Sequence, residues 1–411
     1  MATRRLIILG STGSIGTQAL EVVTHLNALH ERGGFSHRFE VVGLAAGKGA
    51  ALLGQQAQRF GVRDLAISEP NGASSFGDGR VRVGADAAEK LVREVECDVV
   101  LAAIVGSAGL PATLAAVELG RDVALANKET LVAAGAIVVP AAHRSGAKLL
   151  PVDSEHAAVW QCLQGVVSEP PALRAAPAGV RRVILTASGG PFRTADRESI
   201  RRATREQALK HPTWSMGAKV TTDSASLMNK ALEIIEAHWL FALPADKIEA
   251  AVHPQSAAHA LVEFDDASLV AQLATPDMRG PIQNALTWPA RVASLVPPLA
   301  MGSASETHAS RPQSLQFEAP DLQRFPLLAT AYRVIRAGGT SGSILNAANE
   351  EAVLAFLRDE IRFGRIEELV LEAIGTIPSQ PLRALGDALH ADREARAFVQ
   401  SRLTRTAAAT R

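Results

Sequence analysis

The sequence predicts an α/β protein with an N-terminal parallel-sheet domain, an α+β domain and a C-terminal helical bundle, and three observations carry that reading. Short β-rich runs alternate with helical patterns up to residue 152; the alternation breaks at Asp153; apolar positions recur at helical spacing from Phe325 onward. At 411 residues the chain exceeds one ordinary core, since single domains run to roughly 100 to 200 residues.

In the first unit, 1–152, the β-rich runs fall at 6–9, 39–44, 65–68, 99–104, 123–126 and 148–152. Strands alternating with helices argue for βαβ units and a Rossmann-like parallel sheet. The second unit, 153–295, carries longer and more polar runs, with a lid loop at about 188–217. Residues 296–314 are rich in Pro, Ser, Ala and Gly and read as a linker. A helical unit follows over 315–402, and 403–411 is expected to be a disordered tail.

Composition excludes several classes. Apolar residues make up 47% and charged residues 20%, as in a globular protein. Lys plus Arg and Asp plus Glu both total 42, so no global field favours nucleic acid or an anionic membrane. Cys97 and Cys162 lie in no metal-spaced pattern, which fits a reducing cytosol. The opening apolar run is cut by Gly10 and Gly13, so it reads as a first strand rather than a signal, and no run is long enough to span a membrane.

Gly10-Ser-Thr-Gly13-Ser14-Ile15-Gly16 directly follows the first strand and opens a helix. Backbone N–H groups and the helix N-terminus there can hold a pyrophosphate. The second strand ends without the Asp or Glu that would accept from a ribose 2′-hydroxyl. It runs instead into Gly47-Lys48, and a lysine suits a 2′-phosphate, hence NADP.

Asp153-Ser154-Glu155-His156 follows an apolar strand, and Asp153 and Glu155 share one face if the backbone is extended there. Glu233, one helical turn after Lys230, can supply a third carboxylate. Three carboxylates with positions left open for substrate oxygens suit Mg²⁺ or Mn²⁺ acting as a Lewis acid. Ser188, Ser224, Asn229 and Lys230 offer hydroxyl, amide and ammonium donors for a phosphate. The loop His211-Pro-Thr-Trp214-Ser-Met216-Gly217 combines an imidazole, an indole and a glycine, a composition suited to a lid.

At these residues the chain resembles the 1-deoxy-D-xylulose 5-phosphate reductoisomerase family, from Gly10 to about Phe356. The matching stretches are Gly10–Gly16, Ala126-Asn-Lys-Glu129, Asp153–His156, Ala187-Ser-Gly-Gly-Pro-Phe192, His211–Gly217, Asp223-Ser224 and Met228-Asn-Lys230 with Glu233. Further on come His253-Pro-Gln-Ser256, Pro276-Asp-Met-Arg279 and Leu345-Asn-Ala-Ala-Asn-Glu350.

The resemblance implies NADPH contacts from Thr12, Gly13, Ser14, Ile15, Gly47, Lys48, Asn127, Glu129 and Gly217. It implies a divalent metal, Mg²⁺, Mn²⁺ or Co²⁺, on Asp153, Glu155 and Glu233. For the substrate it implies Lys128, Ser154, Glu155, Ser188, His211, Trp214, Ser224, Asn229, Lys230 and Glu233, with Glu155, Lys128 and His211 as the catalytic set. A sugar phosphate substrate, a homodimer and a bacterial cytoplasm complete the expectation. Two residues depart from the family pattern: Gly49 stands where Asn is common, and Asn284 where Tyr is common. The first removes a donor near the 2′-phosphate and is expected to relax the preference for NADPH over NADH.

Two other readings compete. A metal-independent NADPH reductase of another phosphorylated aldehyde would need the glycine loop but not all three carboxylates. A non-catalytic nucleotide-binding protein would keep the Rossmann half, and its carboxylates should be eroded.

Overall fold

The computed structural model describes residues 2–69, 76, 79–214, 216–301 and 314–409. Most of the expected 296–314 linker lies outside them.

Seven parallel strands form the first sheet: β1 (Ala2–Leu9), β2 (His37–Ala46), β3 (Asp64–Ile67), β4 (Arg80–Val83), β5 (Val99–Ala102), β6 (Asp122–Leu125) and β7 (Leu149–Pro151). Their order is β4-β3-β2-β1-β5-β6-β7. Helices α1 (Ser14–Glu31), α2 (Ala50–Phe60), α3 (Ala87–Glu94), α4 (Leu110–Glu118) and α5 (Glu129–Ser145) make the crossovers. Leu6, Ile7, Ile8 and Leu9 are fully buried, because a parallel strand covered on both faces is apolar throughout rather than alternating. The sequence reading missed β4: its Arg-Val-Arg-Val run is a charged edge strand held to β3 by Arg80 and Arg82, which pair with Asp64 at 2.6 and 3.1 Å.

Strand order reverses between β1 and β5, and in such sheets ligands bind in the crevice outside the carboxyl ends of the strands at that reversal. The glycine loop after β1 and the 103–106 loop after β5 therefore flank the crevice.

The second layer is a mixed sheet of β8 (Val180–Ala187), β9 (Ile248–Val252), β10 (Ala258–Phe264) and β11 (Leu269–Leu273), in the order β11-β10-β8-β9. Helix α6 (Ser154–Leu163) packs on β10 and β11. Short helices α7 (Arg197–Arg201) and α8 (Arg205–Ala208) lie within the expected lid region, followed by α9 (Ala218–Ala225) and α10 (Met228–Phe241). Helix α10 is buried along nearly its whole length and touches β8, β9 and α5, so it ties the mixed sheet to the first domain.

One boundary differs from the sequence reading. Helix α11 (Arg279–Thr287), expected within the α+β unit, packs against α1, β6 and β7. Arg4 donates to the Leu286 carbonyl at 3.3 Å, and His25 Nε2 lies 2.8 Å from the Ala293 carbonyl. The chain thus returns to the first domain before it enters the helical unit.

That unit contains α12 (Thr330–Ala337), α13 (Ser341–Leu357), α14 (Phe363–Thr376) and α15 (Leu385–Ala409). Helix α15 continues through residues expected to be a disordered tail; their Thr-Arg-Thr-Ala-Ala-Ala sequence ends in alanines, the strongest helix formers. Helix α13 packs on α5 and α9 as well as on α14 and α15. No helix among the described residues is long and apolar enough to cross a membrane.

Candidate active site

The glycine loop turns tightly at the end of β1, where the Gly13 amide donates to the Gly10 carbonyl at 3.0 Å. A Cβ at Gly16 would sit 2.3 Å from that carbonyl oxygen, so only glycine fits. Gly13 caps α1 without any side-chain acceptor, leaving the first-turn amides free to receive an anion. Gly13, Ser14 and Ile15 line a cavity of about 680 Å³.

The same cavity is lined by Lys128, Asp153, Ser154, Glu155, Asn229, Lys230 and Glu233. Asp153 is not in a strand with Glu155, as the sequence suggested. It is the extended N-cap of α6, and Glu155 lies in that helix's first turn, where the positive end of the helix dipole favours carboxylates. Helix α10 brings Glu233 to them, and oxygens of the three carboxylates lie within 4.8 Å of one another.

Lys128, at the N-terminus of α5, reaches into the middle of this group. Its Nζ pairs with Asp153 and donates to Glu233 Oε1 and Asn229 Oδ1, both at 3.0 Å. Lys230 donates to Glu155 Oε1 at 2.9 Å and also pairs with Glu233. Burial opposes the charge on Lys128, but Asp153 and Glu233 override it and hold the ammonium well above its ordinary range. Burial also raises Glu155, and Glu233 pushes it further, to about 7. All-oxygen donors at this spacing fit a hard divalent cation. Lys128 is in contact with two of the three carboxylates, Asp153 and Glu233.

Behind the carboxylates stands a pair that the sequence reading did not single out. His156 Nε2 lies 2.9 Å from the Glu233 carbonyl oxygen, and its Nδ1 lies 3.4 Å from Glu236 and 3.8 Å from Asp153. Glu236 is fully buried. Its signal was present only as one more carboxylate on the buried face of α10.

The expected phosphate donors converge. Ser188, Ser224, Asn229 and Lys230 all line the cavity, with His211, Trp214 and Gly217. His211 Nδ1 accepts from the Thr213 and Trp214 amides at 3.2 and 2.9 Å, so its proton is on Nε2, which donates to Ser188 Oγ at 3.0 Å. Burial lowers the His211 pKa and keeps the ring neutral. Trp214 packs edge-on against His259, whose pKa burial lowers to about 4.

Several expected contacts lie outside the cavity wall. Asn127 is buried beneath it, donating to the carbonyls of Ile104 at 2.6 Å and Gly106 at 3.0 Å. Glu129 is likewise buried and pairs with Lys219 at 2.9 Å. Both act as supports in this structure. Thr12, Gly47 and Lys48 also lie off the wall, and Lys48 pairs with Glu69 at 3.2 Å. Thr12 stands against Gly49: a Cβ there would come within 3.1 Å of its hydroxyl, so an Asn at 49 would require the Thr12 side chain to give by a few tenths of an ångström. Asn284 leaves its buried Nδ2 without a hydrogen-bond partner among the described residues. Pro276, Asp277, Met278 and Arg279 line the cavity too; the sequence shows them as a motif without indicating a role.

A parallel sheet with an anion-binding turn at its strand-order reversal, sharing one cavity with clustered carboxylates and lysines, defines a dinucleotide-using, cation-assisted oxidoreductase of the α/β class. The profile described as 1-deoxy-D-xylulose 5-phosphate reductoisomerase matches residues 6–135, that of its C-terminal domain 149–241, and that of the DXP reductoisomerase C-terminal domain 273–398. The chain belongs to the 1-deoxy-D-xylulose 5-phosphate reductoisomerase family.

Relatives of that name include one from Gloeobacter violaceus, 46% identical over 406 residues and 97% of each chain. Another, from Symbiobacterium thermophilum, is 47% identical over 401 residues, 95% of this chain and 96% of that protein. A crystal structure of DOX-P reductoisomerase in complex with NADPH, fosmidomycin and magnesium superposes with a TM-score of 0.87 at 34% identity, covering 98% of both chains. The Zymomonas mobilis reductoisomerase in complex with NADPH gives 0.81 at 37% identity, covering 98% of this chain and 99% of that one.

Proposed function

We propose that this chain rearranges and reduces 1-deoxy-D-xylulose 5-phosphate to 2-C-methyl-D-erythritol 4-phosphate, using NADPH and a divalent metal ion, in the non-mevalonate route to isoprenoids. One observation carries the reading: a single cavity is lined by the Gly13–Ile15 anion cradle and by Asp153, Glu155 and Glu233. A metal-free reductase would leave that carboxylate triad without a purpose.

Asp153, Glu155 and Glu233 would hold the cation, which when bound supplies Lewis acidity to the substrate's carbonyl and neighbouring hydroxyl oxygens. Glu155, a carboxylate the cation would hold deprotonated, is the candidate to take or return a hydroxyl proton beside the reacting carbons. Lys128 and Lys230, released from the carboxylates, supply positive charge to the developing alkoxide and to the phosphate. Ser188, Ser224 and Asn229 complete the phosphate grip, whose binding energy is remote from the reacting carbons. His211 and Trp214 close over the rearranged aldehyde and exclude water while NADPH supplies the hydride.

A homodimer fits the same reading. Strand β11 pairs only with β10 among the described residues, and this sheet edge exposes Leu269 and Val270, an arrangement that favours pairing with a second chain. The two buried free cysteines accord with a reducing bacterial cytoplasm.

The test is NADPH oxidation with the sugar phosphate, before and after EDTA and after Mg²⁺ is restored. Substrate-dependent oxidation abolished by EDTA and regained with Mg²⁺ is expected. Turnover indifferent to chelation would sink the metal role, and no turnover with any metal would sink the activity.

A further inference from the structure

A buried polar chain connects the last helix to the wall of the nucleotide crevice. Arg396 on α15 pairs with Glu350 Oε2 on α13, donates to Ser107 Oγ at 3.1 Å and is held by Asp392 at 2.8 Å. Glu350 Oε1 accepts from the Ser107 amide at 3.1 Å and from Asn346 Nδ2 at 2.8 Å. The carboxylate thus caps the turn that leads into α4, where amides would otherwise lack acceptors.

Gly106 lies directly beneath it. Its φ is +76°, and a Cβ there would come within 2.6 Å of Glu350 Oε1, so the carboxylate presses on bare backbone. The Asn127 amide holds the carbonyls of Ile104 and Gly106 and donates to Glu129 at 3.1 Å. Lys219 joins Glu129 to Asp223, both at 2.9 Å, and Asp223 accepts from Asn349 at 2.9 Å, which returns the chain to α13.

The segment gripped between Glu350 and Asn127 is the loop after β5. Ala103 and Val105 from this loop line the cavity together with Gly13–Ile15, at the strand-order reversal. Val105 remains 60% exposed, so packing does not hold it there. Its position is set by the polar grip on the neighbouring backbone. That grip depends on Arg396, because a carboxylate as buried as Glu350 is costly without its cation.

We propose that Glu350 and Arg396 are positioning residues for the dinucleotide, through which the C-terminal helical unit sets NADPH affinity by fixing the 103–107 loop. The inference rests on the NADPH reading given above.

The experiment measures NADPH dissociation constants by titration calorimetry on the full chain without substrate, KM values for NADPH and the sugar phosphate, and the ligand-free melting midpoint. It compares wild type with Arg396→Met, Arg396→Lys and Glu350→Gln. NADPH binding should weaken by about threefold to tenfold in Arg396→Met and Glu350→Gln. Arg396→Lys, which keeps the charge but not the fork, should be intermediate, and the KM for the sugar phosphate should stay near its wild-type value. Variants that bind NADPH as tightly as a wild type that binds it would overturn the inference. So would a joint loss of NADPH affinity, sugar phosphate affinity and melting midpoint, which is what a merely structural role produces. A wild type that does not bind NADPH would overturn the function reading as well.

Discussion

His211 and Ser188 are joined by a 3.0 Å hydrogen bond from the lid to the loop after β8. Because Thr213 and Trp214 amides occupy Nδ1, the imidazole can serve Ser188 only as a neutral donor. His211→Ala should therefore loosen the lid and the phosphate grip together. A fall in turnover of about a hundredfold is expected for such a loss of positioning, with a raised KM for the sugar phosphate and unchanged NADPH affinity. Steady-state kinetics with NADPH calorimetry would check it; weakened NADPH binding would count against it.

Metal affinity should depend on pH. Burial and Glu233 raise Glu155 to about 7, so below that pH a proton competes with the cation, and binding above it requires none to be displaced. Mg²⁺ affinity should rise as pH goes from 6 to 8, and Glu155→Gln should weaken binding and flatten the profile. Calorimetric Mg²⁺ titrations at three pH values decide the matter; a flat wild-type profile would refute it.

His259 predicts an acid-sensitive core. Burial lowers its folded pKa to about 4 from 6.5, so between those values the unfolded chain binds the extra proton. Stability from this group is fully present above pH 6.5 and is lost as pH falls towards 4. Melting midpoints across that window should drop less in His259→Asn, once its own offset at pH 7 is subtracted. An equal drop in both proteins would rule His259 out as a source.

Lys48 predicts coenzyme choice. Its partner Glu69 is an exposed carboxylate at 3.2 Å, so a 2′-phosphate must compete for the ammonium. Lys48→Ala should raise the KM for NADPH by about tenfold, the order of one charge-assisted contact, and leave that for NADH nearly unaltered. Parallel kinetics with both coenzymes test this; equal effects would remove Lys48 from the 2′-phosphate site.

Local signals in the sequence determined much of this protein. The glycine turn after β1 was legible because strand, turn and helix start lie within a few residues. The apolar runs of the parallel sheet were legible because burial on both faces leaves no alternation to confuse. Strand β4 was hidden because its arginines satisfy Asp64 rather than a core.

Tertiary structure decided the rest. Lys128 meets Glu233 across 105 residues, and Glu350 meets the Ser107 amide across 243. Neither separation leaves a trace in hydrophobic period or spacing. Helix α11 has the periodicity of any amphipathic helix, and only packing shows that it lies on α1 and the first sheet. Asn127 and Glu129 likewise carry a motif but not its direction. Periodicity fixes which face of an element is buried; which element it is buried against depends on contacts between distant parts of the chain, and those form only in the folded protein.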